Sequence, residues 1–466
     1  MDRLSTGVTG LDTILNGGLI SGCAYLIRGE PGQGKTTLGL HFLEAASADE
    51  PALFIGFQES DKQLKANAAS IDVDVSHVTF LDLSPDEKFF TDQEKYDVFS
   101  AAEVESTPLS GSIVETVNRV KPVRVFVDSL TQLRFLAADV FQYRKEVLSM
   151  LNFLKSCGAT ILFSSEHSAA MPDDDLQFLA DGVIWLSSGE LGQILTVKKM
   201  RGSDFWRGEH QMRNGGAGLE VFPRPVPPKE EITENRFKTI ATGVDKLDDI
   251  LNGGLESGTI TMVTGPSGVG KSTLASCIAA HSAKTFGYVS VYLFEEEVSS
   301  FEFRSKSLAI DLDTPRNKGQ LNIEQVEPLR YLADEFAVKV RQEVIENDAK
   351  LVVFDSTAGF ELTLANSSIK ERLHALAKSL SRLNVSVLLV NETASLSGND
   401  TISEKKISYL ADNVILMNYV QNDGLRNQVI HVMKKRLSDY DRRPYLYKIG
   451  PKSINILDIH RPTGTR

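Results

Sequence analysis

Two segments of the chain, GEPGQGKTT at 29–37 and GPSGVGKST at 265–273, satisfy the spacing G-x-x-x-x-G-K-[ST] with which a backbone wraps its own amides around a polyphosphate. Gly29, Gly32 and Gly34, and Gly265, Gly268 and Gly270, let successive N–H groups turn inward, and a helix beginning at the lysine adds its positive N-terminal end. Lys35 and Lys271 are placed to reach the β- and γ-phosphates, and Thr36 and Ser272 to offer a hydroxyl to Mg²⁺. Thr37 and Thr273 complete the two motifs. Two in-register matches make accident a poor explanation and predict binding of ATP or GTP. A second acidic group should end a neighbouring strand and orient the Mg²⁺ shell. VFVDS (125–129) and VVFDS (352–356) supply Asp128 and Asp355. Taken alone, a strand-ending aspartate is more often a helix cap, but one recurs at this place in each half.

The elements that must hold these groups are legible around them. AYLIR (24–28) and ITMVT (260–264) precede the loops as strands. Further apolar runs read as strands at 52–57, 123–128, 159–165 and 182–187, and at 289–294, 350–355, 385–390 and 413–418. They are continuous rather than alternating, which predicts strands covered on both faces, as in a mainly parallel α/β sheet. Residues 146–157 have helical spacing, with Leu148, Leu151 and Leu154 expected on one face.

The chain also repeats itself. TGVTGLDTILNGGLISG (6–22) returns as TGVDKLDDILNGGLESG (242–258), and the register holds through both lysines. Between the copies, VFPRPVPPKEEITENRFKT (221–239) is first proline-rich and then charged, the composition of a stiff spacer. The reading is two domains, 1–222 and 237–466, joined by a linker at 223–236. A net charge of −12 argues against a nucleic-acid coat. Cys23, Cys157 and Cys277 have no zinc or disulfide spacing. The N-terminus lacks a signal-peptide pattern, and no apolar run is long enough to cross a membrane. A soluble cytoplasmic protein is expected.

TG-x-x-x-LD-x-x-L-x-GGL, followed by a strand and a P-loop, resembles the opening of a RecA-superfamily domain of the KaiC type, and the resemblance covers residues 1–450. It implies two tandem RecA-like ATPase domains stacked as the two rings of a homohexamer, with ATP at subunit interfaces. The first ring would be a slow ATPase. The second would phosphorylate and dephosphorylate hydroxyl residues in clock-like or signalling regulation. A glutamate pair at the end of the strand after the P-loop helix maps onto Glu296 and Glu297, with three consecutive glutamates leaving the register open by one. In the first domain it maps onto Gln58 and Glu59. Gln58 can orient a water but cannot take its proton.

A K-x-R pair near each domain's end, Lys199 with Arg201 and Lys434 with Arg436, would reach the γ-phosphate of the next subunit, as a cation introduced in trans does. The family's phosphoacceptor pair falls on Ser408 and Tyr409, ahead of Asp412. In the first domain Gln177 and Phe178 stand there, so only the second domain has an acceptor. The short tail argues against a KaiA partner, and a KaiB-like partner at the first domain stays open. Two further readings share the core: an ATPase-only regulator, and a RecA-type DNA motor or recombinase.

Overall fold

In the computed structural model, the described residues are 2–84, 101–137, 139–166, 174–189, 192–226, 237–364, 369–393, 411–422, 425–451 and 453–459. The chain divides into two compact units, Met1–Arg224 and Pro225–Arg466. The division falls within the proline-rich stretch, most of which (227–236) lies outside the described residues.

Each unit is built on one nine-stranded sheet. In the first unit the order is Gly218–Phe222, His210–Gly215, Gly192–Met200, Gly182–Gly189, Ala24–Gly29, Thr160–Glu166, Arg124–Asp128, Ala52–Gly56 and Thr79–Asp82. The second repeats it in mirror listing: Leu321–Gln325, Val289–Leu293, Leu351–Asp355, Ser386–Glu392, Ile260–Gly265, Asn413–Asn422, Leu425–Lys435, Tyr445–Gly450 and Ser453–Ile459. From Gly182–Gly189 to Thr79–Asp82, and from Asn413–Asn422 to Leu321–Gln325, all pairings are parallel. The other three strands of each sheet pair antiparallel.

Successive residues of one strand point to opposite faces, and both faces here are apolar. Tyr25 and Ile27 enter one core of the first unit and Ala24 and Leu26 the other. Val291 and Leu293 likewise enter one core of the second unit, and Tyr292 and Phe294 the other. That two-sided burial is why the runs are continuous. The RecA-like α/β architecture follows, with every P-loop strand central in its sheet.

One helix face differs from expectation. In Val140–Ser156 the buried side chains are Tyr143, Val147, Leu151 and Leu154, whereas Leu148 is exposed. The i, i+4, i+8, i+11 stripe passes through Val147, so Leu148 falls one step, about 100°, off it.

Candidate functional site

The phosphate loops turn from sheet to helix on a residue that only glycine adopts without strain. Gly34 has φ +90° and caps the helix Lys35–Glu44, and Gly270 has φ +104° and caps Lys271–Thr285. The N-terminal amides of both helices therefore face the loop. Both lysines are buried. Lys35 donates from Nζ to the Gly29 and Glu30 carbonyls, each at 2.9 Å, and Lys271 donates to the Pro266 carbonyl at 2.9 Å. Burial holds Lys271 below the usual lysine range, against the pull of Glu392, Asp355 and Glu295. Thr37 and Thr273 lie in the first helical turn, Thr273 buried.

Asp128 and Asp355 are the last residues of the strands Arg124–Asp128 and Leu351–Asp355. Thr36 donates to Asp128 at 2.6 Å, and the Ser164 hydroxyl donates to the other carboxylate oxygen. Ser272 bonds Asp355 in the same way. Burial raises both carboxyl pKa values, that of Asp355 to about 6. Asp355 Oδ2 is buried without a hydrogen-bond partner, and a buried carboxylate oxygen left over beside a serine hydroxyl suits a cation. Among the described residues no cluster of three or more His, Cys, Asp or Glu could hold a metal by itself.

The glutamate register is resolved by the sheet. Gly56 pairs with Asp128 and Leu293 with Asp355. The Phe57 and Phe294 amides then donate to the carbonyls of those same aspartates. Gln58 therefore corresponds to Glu295 and Glu59 to Glu296. Glu297 corresponds to Ser60, and both are N-caps of the following helices. If Gln58 and Glu59 are the first domain's pair, this register matches them to Glu295 and Glu296 rather than to Glu296 and Glu297, the one-residue choice that the run of three glutamates leaves open.

The two members differ in surroundings. Glu295 accepts from the Ser356 hydroxyl and is one of the charges acting on Lys271. Glu296 is held by Arg304 at 2.6 and 2.8 Å, and Asn67 donates to Glu59 at 3.0 Å from the matching helical position. Sequence reasoning missed two more carboxylates. Glu166 and Glu392 end the strands beside the P-loop strands, paired with Gly29 and Gly265. Their signal was the same strand-ending acid that revealed Asp128 and Asp355.

The K-x-R pairs do not join this cluster. Lys199 donates to the Gln177 and Ala180 carbonyls at 2.9 and 2.6 Å, and Lys434 donates to the Ala411 carbonyl at 2.6 Å. Arg201 and Arg436 pair with Asp181 and Asp412 at 3.5 and 3.2 Å. Those aspartates accept from the amides of Ala24 and Ile260 at 3.0 and 3.1 Å, the first residues of the P-loop strands. Gly29 and Gly265 are the last. Five residue steps at roughly 3.3 Å put each arginine's anchor about 16 Å from its own loop along the sheet. Both arginine side chains are about half exposed, at 60% and 47%.

Ser408 and Tyr409 lie outside the described residues. In the first unit, Gln177 bonds Asp174 at 2.9 Å and Phe178 is exposed.

The KaiC ATPase family model matches residues 4–226 and again 240–461. The chain is 25% identical to the circadian clock oscillator protein KaiC of Acaryochloris marina, over 97% of this chain and 88% of that one. It is 25% identical to that of Prochlorococcus marinus MIT 9313, over 98% and 93%, and 24% identical to that of Thermosynechococcus vestitus, over 98% and 90%. With two P-loops, two strand-ending aspartates and two copies of one sheet topology matched along nearly its whole length, this chain belongs to the KaiC ATPase family.

Proposed function

We propose that this protein is a Mg²⁺-dependent ATP hydrolase whose sites are completed by neighbouring subunits of a homohexameric double ring, and whose second domain phosphorylates its own Ser408. One observation carries the reading. Arg201 and Arg436 are anchored a full strand length from their own P-loops yet left exposed, which suits cations that serve the loop of another copy.

Within a site, Lys35 or Lys271 and the helix N-terminus bind and orient the phosphates. Thr36 with Asp128, and Ser272 with Asp355, would hold Mg²⁺, which neutralises charge on the phosphates when bound. In the second domain Glu295 is the group to take a proton from the attacking hydroxyl or water, while Arg304 fixes Glu296 beside it. In the first domain Gln58 orients water without accepting its proton, so turnover concentrates in the second. In sequence Ser408 precedes Ala411 and Asp412, which are pinned at the same end of the strands as Arg436. Transfer to Ser408 from the neighbouring subunit, with Tyr409 as the adjacent hydroxyl, is supported by the match of this segment to the family's acceptor pair.

The acidic balance favours a cytoplasmic regulator over a DNA motor, and a KaiB-like partner at the first domain stays open. No helix among the described residues is long and apolar enough to cross a membrane. Intact-mass analysis after incubation with Mg-ATP, with peptide mapping, tests the kinase: one phosphate on Ser408 is expected, absent in Ser408→Ala. Wild-type protein that stays unmodified under every nucleotide condition would leave an ATPase-only regulator.

A further inference from the structure

The two phosphate loops have the same spacing and are held by different means. In the second unit, three side chains from the antiparallel end of the sheet bond successive loop carbonyls from outside. The Tyr419 hydroxyl donates to the Gly268 carbonyl at 2.8 Å. The Tyr447 hydroxyl donates to the Val269 carbonyl, which also accepts from Gln428 Nε2 at 3.4 Å. Tyr419 is itself pressed by the Arg426 guanidinium, 3.6 Å above its ring centre. Tyr447 is buried, and burial pushes its phenol pKa up, so it stays a donor across the physiological range.

Sheet register identifies the matching positions in the first unit. Thr264 pairs with Leu416 and Arg28 with Trp185, so Tyr419 corresponds to Ser188. Tyr419 pairs with Gln428 and Ser188 with Gln193; Gln428 pairs with Tyr447 and Gln193 with Met212. Ser188 bonds the Gln33 side chain at 3.0 Å, and Gln193 accepts from the Asn214 amide at 3.0 Å. Met212 has no donor. None of these three bonds a loop carbonyl.

A carbonyl held outward on a peptide plane turns the amide of the next residue inward. Fixing the Gly268 and Val269 carbonyls therefore aims the Val269 and Gly270 amides into the loop's concavity before any phosphate arrives. Preorganisation of this kind raises affinity by removing an ordering cost at binding.

We propose that Tyr419 and Tyr447 are positioning residues that preorganise the second phosphate loop for a nucleoside triphosphate, and that the first loop, in which no phenol bonds a loop carbonyl, is the less preorganised of the two. This deepens the reading of the second site as a nucleotide site and rests on it.

The test uses Tyr419→Phe and Tyr447→Phe in the full chain, which keep ring packing and delete only the hydroxyls. Equilibrium binding of a fluorescent ATP analogue, with thermal unfolding as control, is fitted to two sites. Each variant should weaken one site about 5-fold, the scale of one lost hydrogen bond, with thermal unfolding confirming that the variant is folded at the assay temperature. In a Lys271→Ala background, where only the first loop binds, the same variants should change nothing. In turnover, KM should rise and kcat hold. Unchanged two-site binding would overturn the proposal, as would an equal weakening that survives Lys271→Ala. Failure of wild-type protein to bind the analogue at all would instead refute the nucleotide site itself.

Discussion

Arg436 pairs with Asp412 at 3.2 Å, and Asp412 accepts from the amide of Ile260, so this arginine is tethered at the end of the P-loop strand remote from Gly265. Arg201 and Asp181 repeat the arrangement in the first unit. An arginine that stabilises transferred phosphoryl charge contributes about 10³–10⁵ in kcat. Arg436→Ala should lower second-site turnover within that range while leaving ATP bound, as initial-rate assays beside nucleotide-binding measurements would show. A loss of binding with turnover per bound ATP preserved would place the arginine elsewhere.

Assembly should follow from the same tether. Light scattering in ATP should give six times the chain mass, and Lys35→Ala should weaken the ring more than it lowers turnover. A monomer in saturating ATP contradicts the hexamer.

Carboxylate identity predicts unequal sites. Glu295→Gln should slow second-site turnover by about 10²–10⁴, the usual worth of a general base. Glu297→Gln, at an exposed helix cap, should do little. Gln58→Glu should raise turnover of the first site. Steady-state ATPase rates of the three variants rank them directly, and an effect of Glu297 larger than that of Glu295 would reverse this register.

The buried Asp355 makes the nucleotide-free protein sensitive to pH. Its folded pKa is raised to about 6 from an ordinary 3.8, chiefly by burial. Between those values the folded state holds a proton that the unfolded state has lost. Stability in EDTA should therefore fall as pH rises from about 4 through 6, by about 3 kcal/mol for this group, and then level. Asp128 shifts in the same direction. Denaturant titrations of Asp355→Asn should show a shallower decline and higher stability above pH 6.

What the sequence revealed and concealed follows from spacing. The P-loops, their strands and the strand-ending aspartates are local patterns, and their duplication separates them from accident. The glutamate pair was visible as a run but not in register, because only the pairing of Leu293 with Asp355 counts residues from a fixed point. Glu166 and Glu392 join the site through strands more than 100 residues from their loops. The phenols of Tyr419 and Tyr447 depend on an antiparallel hairpin whose register no local motif reports. Leu148 misled because leucine spacing alone cannot separate two adjacent helical faces when Val147 shares the stripe.

Mixing two inactive variants tests the shared site most directly. Lys271→Ala keeps a competent Arg436 and Arg436→Ala keeps a competent Lys271, so neither alone should turn over at the second site. When equal amounts are mixed before ring assembly in ATP, a neighbouring pair is competent when one subunit supplies the lysine and the next the arginine. With each present in half the subunits, about a quarter of interfaces should regain second-site activity in a closed cyclic ring. Recovery to about that level is the result expected of sites completed between subunits; no recovery from a mixture shown to have co-assembled would contradict it.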